Sequence, residues 1–145
     1  MIFDSSALEL ELNNNNIMNS LIIDAARDKI FLTFIVSENI YTCSHENSKI
    51  NFEKLMILIN EFLKDNKHSL DDIDIIYVNR GPGSFAGIRN SLSTIKALFL
   101  TKNIDYYCFS FEDFKESETT KYADVPQLCE KYKIKKNLIN PIYLS

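Results

Sequence analysis

The sequence predicts an α/β fold, on three observations. Residues 73–78 form a short run rich in β-branched and aromatic side chains, the mark of a buried strand. Residues 52–64 and 84–101 carry apolar side chains at helical spacing. All three glycines of the 145 residues, Gly81, Gly83 and Gly87, fall in one seven-residue window between that strand and the second helix. Average usage is roughly 7% glycine spread along a chain, so these three are reserved for one piece of backbone.

Taken in order, the first helix places Phe52, Leu55, Met56, Ile59, Phe62 and Leu63 on one face, which makes residues 52–64 amphipathic without further support. The strand at 73–78 then leads into Arg80-Gly81-Pro82-Gly83-Ser84-Phe85-Ala86-Gly87. Glycine permits positive φ and the close approach of whatever lies over bare backbone. Pro82 stiffens the turn by fixing its own φ and removing a donor. A rigid strand-to-helix loop of this kind reads as a recognition surface.

The second helix, residues 84–101, sets Phe85, Ile88, Leu92, Ile95 and Phe99 on the face that would pack against a sheet. A neighbouring face carries Gly87, Asn90, Ser91, Thr94, Ala97 and Leu98, mostly small, and between Phe85 and Leu100 only Arg89 and Lys96 are charged. Small side chains let another helix come close. Two covers fit: a second helix of the same domain, or a partner protein. A further strand is expected at 104–109 and one short helix near 126–132.

Composition narrows the function classes. With 46% hydrophobic and 25% charged residues the chain suits one globular domain. A net charge of −4 argues against independent nucleic-acid binding, which needs clustered positive charge; Lys131, Lys133, Lys135 and Lys136 form a local basic run, read as solvated surface, with a minor nucleic-acid contact within a larger complex as the alternative. Three cysteines, Cys43, Cys108 and Cys129, form no disulfide framework or zinc spacing and point to a reducing cytosol. No run approaches the roughly 20 apolar residues of a membrane span, so no membrane association is expected. The first residues lack the early basic side chains of a secretory signal. The two histidines, His45 and His68, are far apart and in no ligand spacing, so no metal is expected.

A nucleotide site competes for the glycine loop. Gly81 to Ala86 formally matches G-x-G-x-x-A after a strand and before a helix, and Asp105 lies about twenty residues on, where a ribose-binding carboxylate would stand. Against it, three predicted strands and a helix precede the motif, Asp105 opens its strand instead of closing it, and bulky Phe85 follows the turn. A Walker loop is excluded, because no Lys-Ser/Thr follows the glycines at the required spacing.

The run Arg80 to Arg89, followed by Ser91-Leu92-Ser93-Thr94-Ile95-Lys96-Ala97-Leu98, closely resembles the signature of the bacterial TsaB (YeaZ) family, Arg-Gly-Pro-Gly-Ser-Phe-Thr-Gly-Leu/Val-Arg with a small-residue helix after it. Ala86 replaces the usual threonine. Residues 20–26 resemble the family's opening strand, 29–37 and 40–45 the next two strands of its meander, and Asp71-Asp72-Ile73-Asp74 the approach to the loop strand. Asn140-Pro141-Ile142-Tyr143-Leu144-Ser145 resembles the Pro-x-Tyr-Leu-Arg run near family C-termini.

The resemblance spans residues 21–114 and implies a single actin-like/sugar kinase-type lobe (ASKHA, ribonuclease H-like), α/β, with a five-stranded mixed sheet and flanking helices. It divides the chain into an N-terminal extension (1–19), in which 1–17 has either little packing role or an unused upstream start, the lobe (20–114) and a short C-terminal remnant (115–145). It also implies a cytoplasmic, non-catalytic scaffold that binds TsaD as a heterodimer, with TsaE joining through the heterodimer and tRNA met only indirectly. The machinery so formed transfers threonylcarbamoyl to the adenosine next to the anticodon of ANN-decoding tRNAs. The partner-binding residues would be Gly81, Pro82, Gly83, Ser84, Phe85, Gly87, Arg89, Asn90, Ser91, Thr94, Ala97 and Leu98, with a homodimer through the same helix as the other use of that face. No catalytic residue, cofactor or metal is implied. Asp24, where active superfamily members place an acid for metal and phosphate, reads as structural, since Ala25 stands where a phosphate-binding hydroxyl would be. The alternatives are a small nucleotide-binding protein using the Gly81–Gly87 loop and a self-associating degenerate paralogue.

Overall fold

The computed structural model describes residues 18–116 and 120–143. In chain order it forms β1 (Ser20–Asp24), β2 (Lys29–Val36), β3 (Asn39–Glu46), α1 (Lys49–Glu53), α2 (Leu55–Asp65), β4 (Ile75–Asn79), α3 (Phe85–Lys102), β5 (Asp105–Phe109) and α4 (Val125–Lys131). The strands make one sheet in the order β3-β2-β1-β4-β5. The first three pair antiparallel, while β1–β4 and β4–β5 are parallel. This is the mixed five-stranded sheet with flanking helices that the sequence predicts.

Strand alternation assigns the two faces of the sheet. Leu21 pairs with Phe34 and Ile76, and Ile76 with Tyr106. With Ile23, Leu32 and Val78 they form one face, packed with Leu55, Ile59, Leu63, Ile88 and Ile95 of α2 and α3. The residues between them, Ile22, Ile75, Tyr77 and Phe109, point the other way and meet Phe114, Val125, Leu128 and Cys129. The C-terminal segment therefore supplies the cover for the second face. It also runs beside β5, where Asn137 N–H donates to the Tyr106 carbonyl (2.8 Å) and Lys136 bridges Tyr107.

Boundaries differ from expectation in informative places. The helix expected at 52–64 is two, because the chain turns at Lys54 (φ −106°, ψ 27°). The first begins early, where the Ser48 hydroxyl accepts from Asn51 N–H (3.2 Å) as an N-cap. The break turns Phe52 toward Gly87 of α3 while Leu55, Leu58, Ile59 and Leu63 line the core. The strand expected from residue 73 starts at Ile75, since a single 3₁₀ turn at Leu70–Asp72 holds the preceding backbone. Phe85, placed by periodicity on the sheet-facing stripe, is 55% exposed; as the first residue of α3 it lies beyond the packed part of the helix and rests on Tyr143, ring centroids 4.7 Å apart. Within the expected extension, residues 1–17 lie outside the described residues, whereas Asn19 belongs to the packed fold: its carbonyl accepts from Asp74 and Ile75 N–H. Among the described residues no helix is long and apolar enough to cross a membrane.

Candidate functional site

The glycine loop leaves the C-terminal end of β4 and turns into α3. Asn79, closing the strand, accepts from Gly81 N–H through its side chain (2.9 Å), a local turn that starts the loop. Ser84 caps α3 by accepting from Gly87 N–H (3.2 Å). Arg80 anchors the loop from below: Nη2 and Nε donate to the two carboxylate oxygens of Asp113 (2.6 and 3.3 Å), and Nη1 donates to the Asn140 carbonyl (3.0 Å). Such a two-pronged guanidinium–carboxylate contact fixes orientation as well as position.

Each glycine is explained by this chain's own backbone. Gly81 has φ 111°, a conformation L side chains rarely adopt, and a Cβ there would collide with the Ile142 carbonyl and approach Ile88 Cδ1 at 2.9 Å. A Cβ on Gly83 would strike the Ala26 carbonyl, which already accepts from Ser84 N–H (2.9 Å). One on Gly87 would strike the Ala25 carbonyl and sit 3.1 Å from Phe52 Cε1. The bare backbone is covered by the turn after β1, by α1 and by the C-terminal segment.

The residues named from sequence separate into two groups. Gly81, Gly87, Ser91 and Leu98 are buried, and α1 and α2 pack against α3. The same-domain cover is thus what closes the inner part of the small-residue face, and these four present no surface to another protein. Phe85, Arg89 and Ala97 are exposed, and Pro82, Gly83, Ser84, Asn90 and Thr94 are half-buried. With Leu100, 71% exposed, they mark an outer stripe of α3 that runs on from the loop.

The neutral part of that stripe is cheap to desolvate. Asn90 donates to the Ala86 carbonyl (2.8 Å) and Thr94 to the Asn90 carbonyl (2.8 Å), so their polar groups are satisfied inside the helix. Arg89 and Lys96 are exposed and have no carboxylate within salt-bridge distance among the described residues. The face is small, partly apolar and positive.

Parts of the chain are similar to known proteins. The family model described as "TsaD: tRNA N6-adenosine threonylcarbamoyltransferase" matches residues 45–110. A protein of Buchnera aphidicola subsp. Baizongia pistaciae named "tRNA threonylcarbamoyladenosine biosynthesis protein TsaB" is 35% identical over 89 residues, 54% of this chain and 40% of its own length. Its namesake from Buchnera aphidicola subsp. Schizaphis graminum is 29% identical over 90 residues, 62% of this chain and 43% of its own. The solved structure of YeaZ from Pseudomonas aeruginosa superposes with a TM-score of 0.60 at 17% identity, over 65% of this chain and 44% of that one. Over little more than half its length the chain is similar to proteins named TsaB, and its fold is similar to that of YeaZ.

It spans well under half the length of these TsaB relatives. Asp24, at the end of the TsaB-like opening strand, is fully buried and occupied: it accepts from Ala26 N–H (3.0 Å) and from the Tyr122 hydroxyl (2.6 Å), and forms an ion pair with Arg27 Nε (3.2 Å). Burial, then the Asp24 charge, pushes the Tyr122 hydroxyl pKa upward, so it remains a proton donor in that bond. Arg27 lies over the Phe111 ring at 4.4 Å, closing the cluster. Asp105 is bound by Asn137 Nδ2 (2.9 Å) and pairs with Ile75, at the edge of the sheet opposite to the glycine loop. It cannot meet a ligand seated on that loop.

His68 contacts Asp72 (3.2 Å) and the edge of Phe34, and His45 lies 3.8 Å from Cys43 Sγ. Among the described residues no group of three or more His, Cys, Asp or Glu side chains is arranged to hold a metal. Sequence reasoning missed Asp113 and Tyr122. Ser110 to Asp113 does carry the Ser-x-x-Asp pattern of a capping box, which the structure forms, but nothing in the sequence points from it to Arg80. Tyr122 carries no local signal.

Proposed function

We propose that this chain is a non-catalytic, TsaD-binding subunit in tRNA threonylcarbamoyladenosine biosynthesis, docking through the outer stripe of α3 and the adjoining loop. The observation that carries the reading is the way the glycine loop is filled. Its three glycines are packed against Ala25, Ala26 and Ile142, which accounts for each of them without a phosphate, while Phe85, Arg89, Ala97 and Leu100 beside it remain open. A loop so braced serves to hold a surface. The names of the Buchnera relatives supply the pathway. The occupied Asp24 and the isolation of Asp105 weigh against nucleotide chemistry, and the exposed charges of α3 suit a partner that offers carboxylates there. TsaE would then join through the heterodimer, and tRNA would be met by the assembled complex, in the cytoplasm.

Co-expression with TsaD of the same organism, followed by size-exclusion chromatography with light scattering, tests this. A one-to-one complex is expected. Two folded proteins that elute separately would remove the reading, and a stable homodimer indifferent to TsaD would reassign the stripe to self-association. A rise in melting temperature of the isolated chain with magnesium-ATP would return the nucleotide alternative.

A further inference from the structure

The C-terminal segment reaches the outer stripe of α3. At 100° per residue Phe85, Arg89, Lys96 and Leu100 lie within about 60° of one another around the helix, on a line about 22 Å long. Phe85 opens that line at the loop end, and the ring that rests on it comes from Tyr143, far along the chain. The two rings meet with centroids 4.7 Å apart and planes 48° apart, yet Phe85 stays 55% exposed and Tyr143 41%. A pair whose whole task was to cover the loop would be buried. This one keeps much of each ring toward solvent.

Tyr143 is held in place before any partner arrives. Ile142 N–H donates to the Arg80 carbonyl (2.7 Å), the Asn140 carbonyl accepts from Arg80 Nη1 (3.0 Å), and the Ile142 carbonyl lies against Gly81. A side chain whose neighbouring backbone is already fixed loses less freedom on binding. Tyrosine suits such a position, because its ring is apolar and its hydroxyl tolerates water.

Area points the same way. A line about 22 Å long on a helix about 10 Å across gives a footprint on the order of 200 Å², against roughly 800 Å² per partner in a specific interface. Docking on α3 must therefore take in neighbouring surface, and residues 140–143 join the stripe by direct ring contact.

Given α3 as the TsaD-docking helix, we propose that Tyr143 also contacts TsaD, forming with Phe85 a two-ring knob that an apolar recess of TsaD receives. Carboxylates of TsaD meet Arg89 and Lys96 further along the helix. Both cations lack a carboxylate within salt-bridge distance among the described residues, so they are left for the partner. The aromatic knob supplies affinity, and the charges steer the encounter.

Isothermal titration of the full chain with TsaD of the same organism tests this. Tyr143→Ser should bind about tenfold more weakly or worse, with the parent's urea midpoint, since the ring is partly open to solvent. Tyr143→Phe, which keeps the ring, should bind like the parent. The photo-reactive residue p-benzoylphenylalanine in place of Tyr143 should cross-link to TsaD on irradiation. The same residue in place of Ile40, 54% exposed on the edge strand β3 at the other side of the sheet, should not. Should the midpoint of Tyr143→Ser fall, the cross-link decides. No binding by the parent would overturn the docking reading and this contact with it. Parent-like affinity in Tyr143→Ser, or weakened binding without a cross-link from position 143, would overturn the contact alone and leave α3 as the docking helix.

Discussion

The two faces of the sheet are built on different principles. The first is sealed by three helices that arrive in sequence, and its cluster contains Phe34, Leu21, Ile23, Leu32, Ile59 and Leu63, each fully buried. The second is closed by one short helix and a run of aromatics, Phe109 against Phe111 and Phe114, and Phe114 against Tyr132, beside an open groove. Helices of regular periodicity seal a face continuously, whereas a short segment held by aromatic contacts and single hydrogen bonds leaves gaps. The candidate docking stripe belongs to the sealed half, on the outside of α3, where a rigid backing serves it.

Substitutions can break that contrast, and the largest effect is expected at Ser91. It is fully buried on the face of α3 that its own domain covers. Ser91→Arg would bury an unpaired charge and cost about 3–5 kcal/mol, enough to unfold the chain in a urea titration. Ala97→Arg, on the exposed face of the same helix, should stay within about 0.5 kcal/mol of the parent yet prevent co-elution with TsaD. Equal destabilisation by both would erase the distinction between the inner and outer faces of α3.

Core truncations compare the two faces directly. Phe34→Ala removes a fully buried ring on the sealed face and should cost about 3–5 kcal/mol, while Leu128→Ala, 8% exposed on the second face, should cost about 2 kcal/mol. Denaturant midpoints measure both, and a larger loss at Leu128 would reverse the ranking of the faces. Arg80→Met sharpens the comparison, because Arg80 ties the loop to Asp113 and Asn140 of the second-face segment. Loss of about 2 kcal/mol is expected, from charged hydrogen bonds only partly open to solvent. Trypsin should then cut faster after residue 115.

The smallest effect concerns the thiols. Burial pushes Cys108 and Cys129 up to about 12, and burial followed by the charge of Asp65 pushes Cys43 up to about 11. A raised thiol pKa keeps sulfur protonated until the pH approaches it, so at pH 8 on the order of one thousandth of Cys43 is thiolate. Ellman's reagent should react with native protein far more slowly than with protein in guanidinium, and faster as pH rises toward 10.

The sealed face was the legible one. Ile88, Leu92 and Ile95 recur at helical spacing and pack where that spacing puts them, and the meander strands pair in the expected order. Phe52 belongs to the apolar face as read, but the helix breaks at Lys54 and Phe52 packs beside Gly87, a tertiary contact with no local sequence signature. The small-residue face of α3 was ambiguous for a physical reason: small side chains permit close approach and do not specify by whom. The glycine window correctly marked close contact, yet the contacting groups, Ala25, Ala26 and Ile142, come from distant chain and carry no motif. On the second face, Tyr122 reaches Asp24 across 98 residues of sequence, a separation at which one chain alone gives no pairing information.

The hydrogen bond from Ile142 to Arg80 has a consequence for how the protein comes into being. Arg80 also grips Asn140, 60 residues further along the chain, and Gly81 takes its shape beneath Ile142. During synthesis the glycine loop and α3 leave the ribosome first and wait about 3–12 s, at about 5–20 residues per second, before their last support is made. A nascent chain truncated before residue 140 carries α3 without the contacts to Arg80 and Gly81 that brace its entry. The shape of the loop is therefore settled only once the backbone around residues 140–142 has been made.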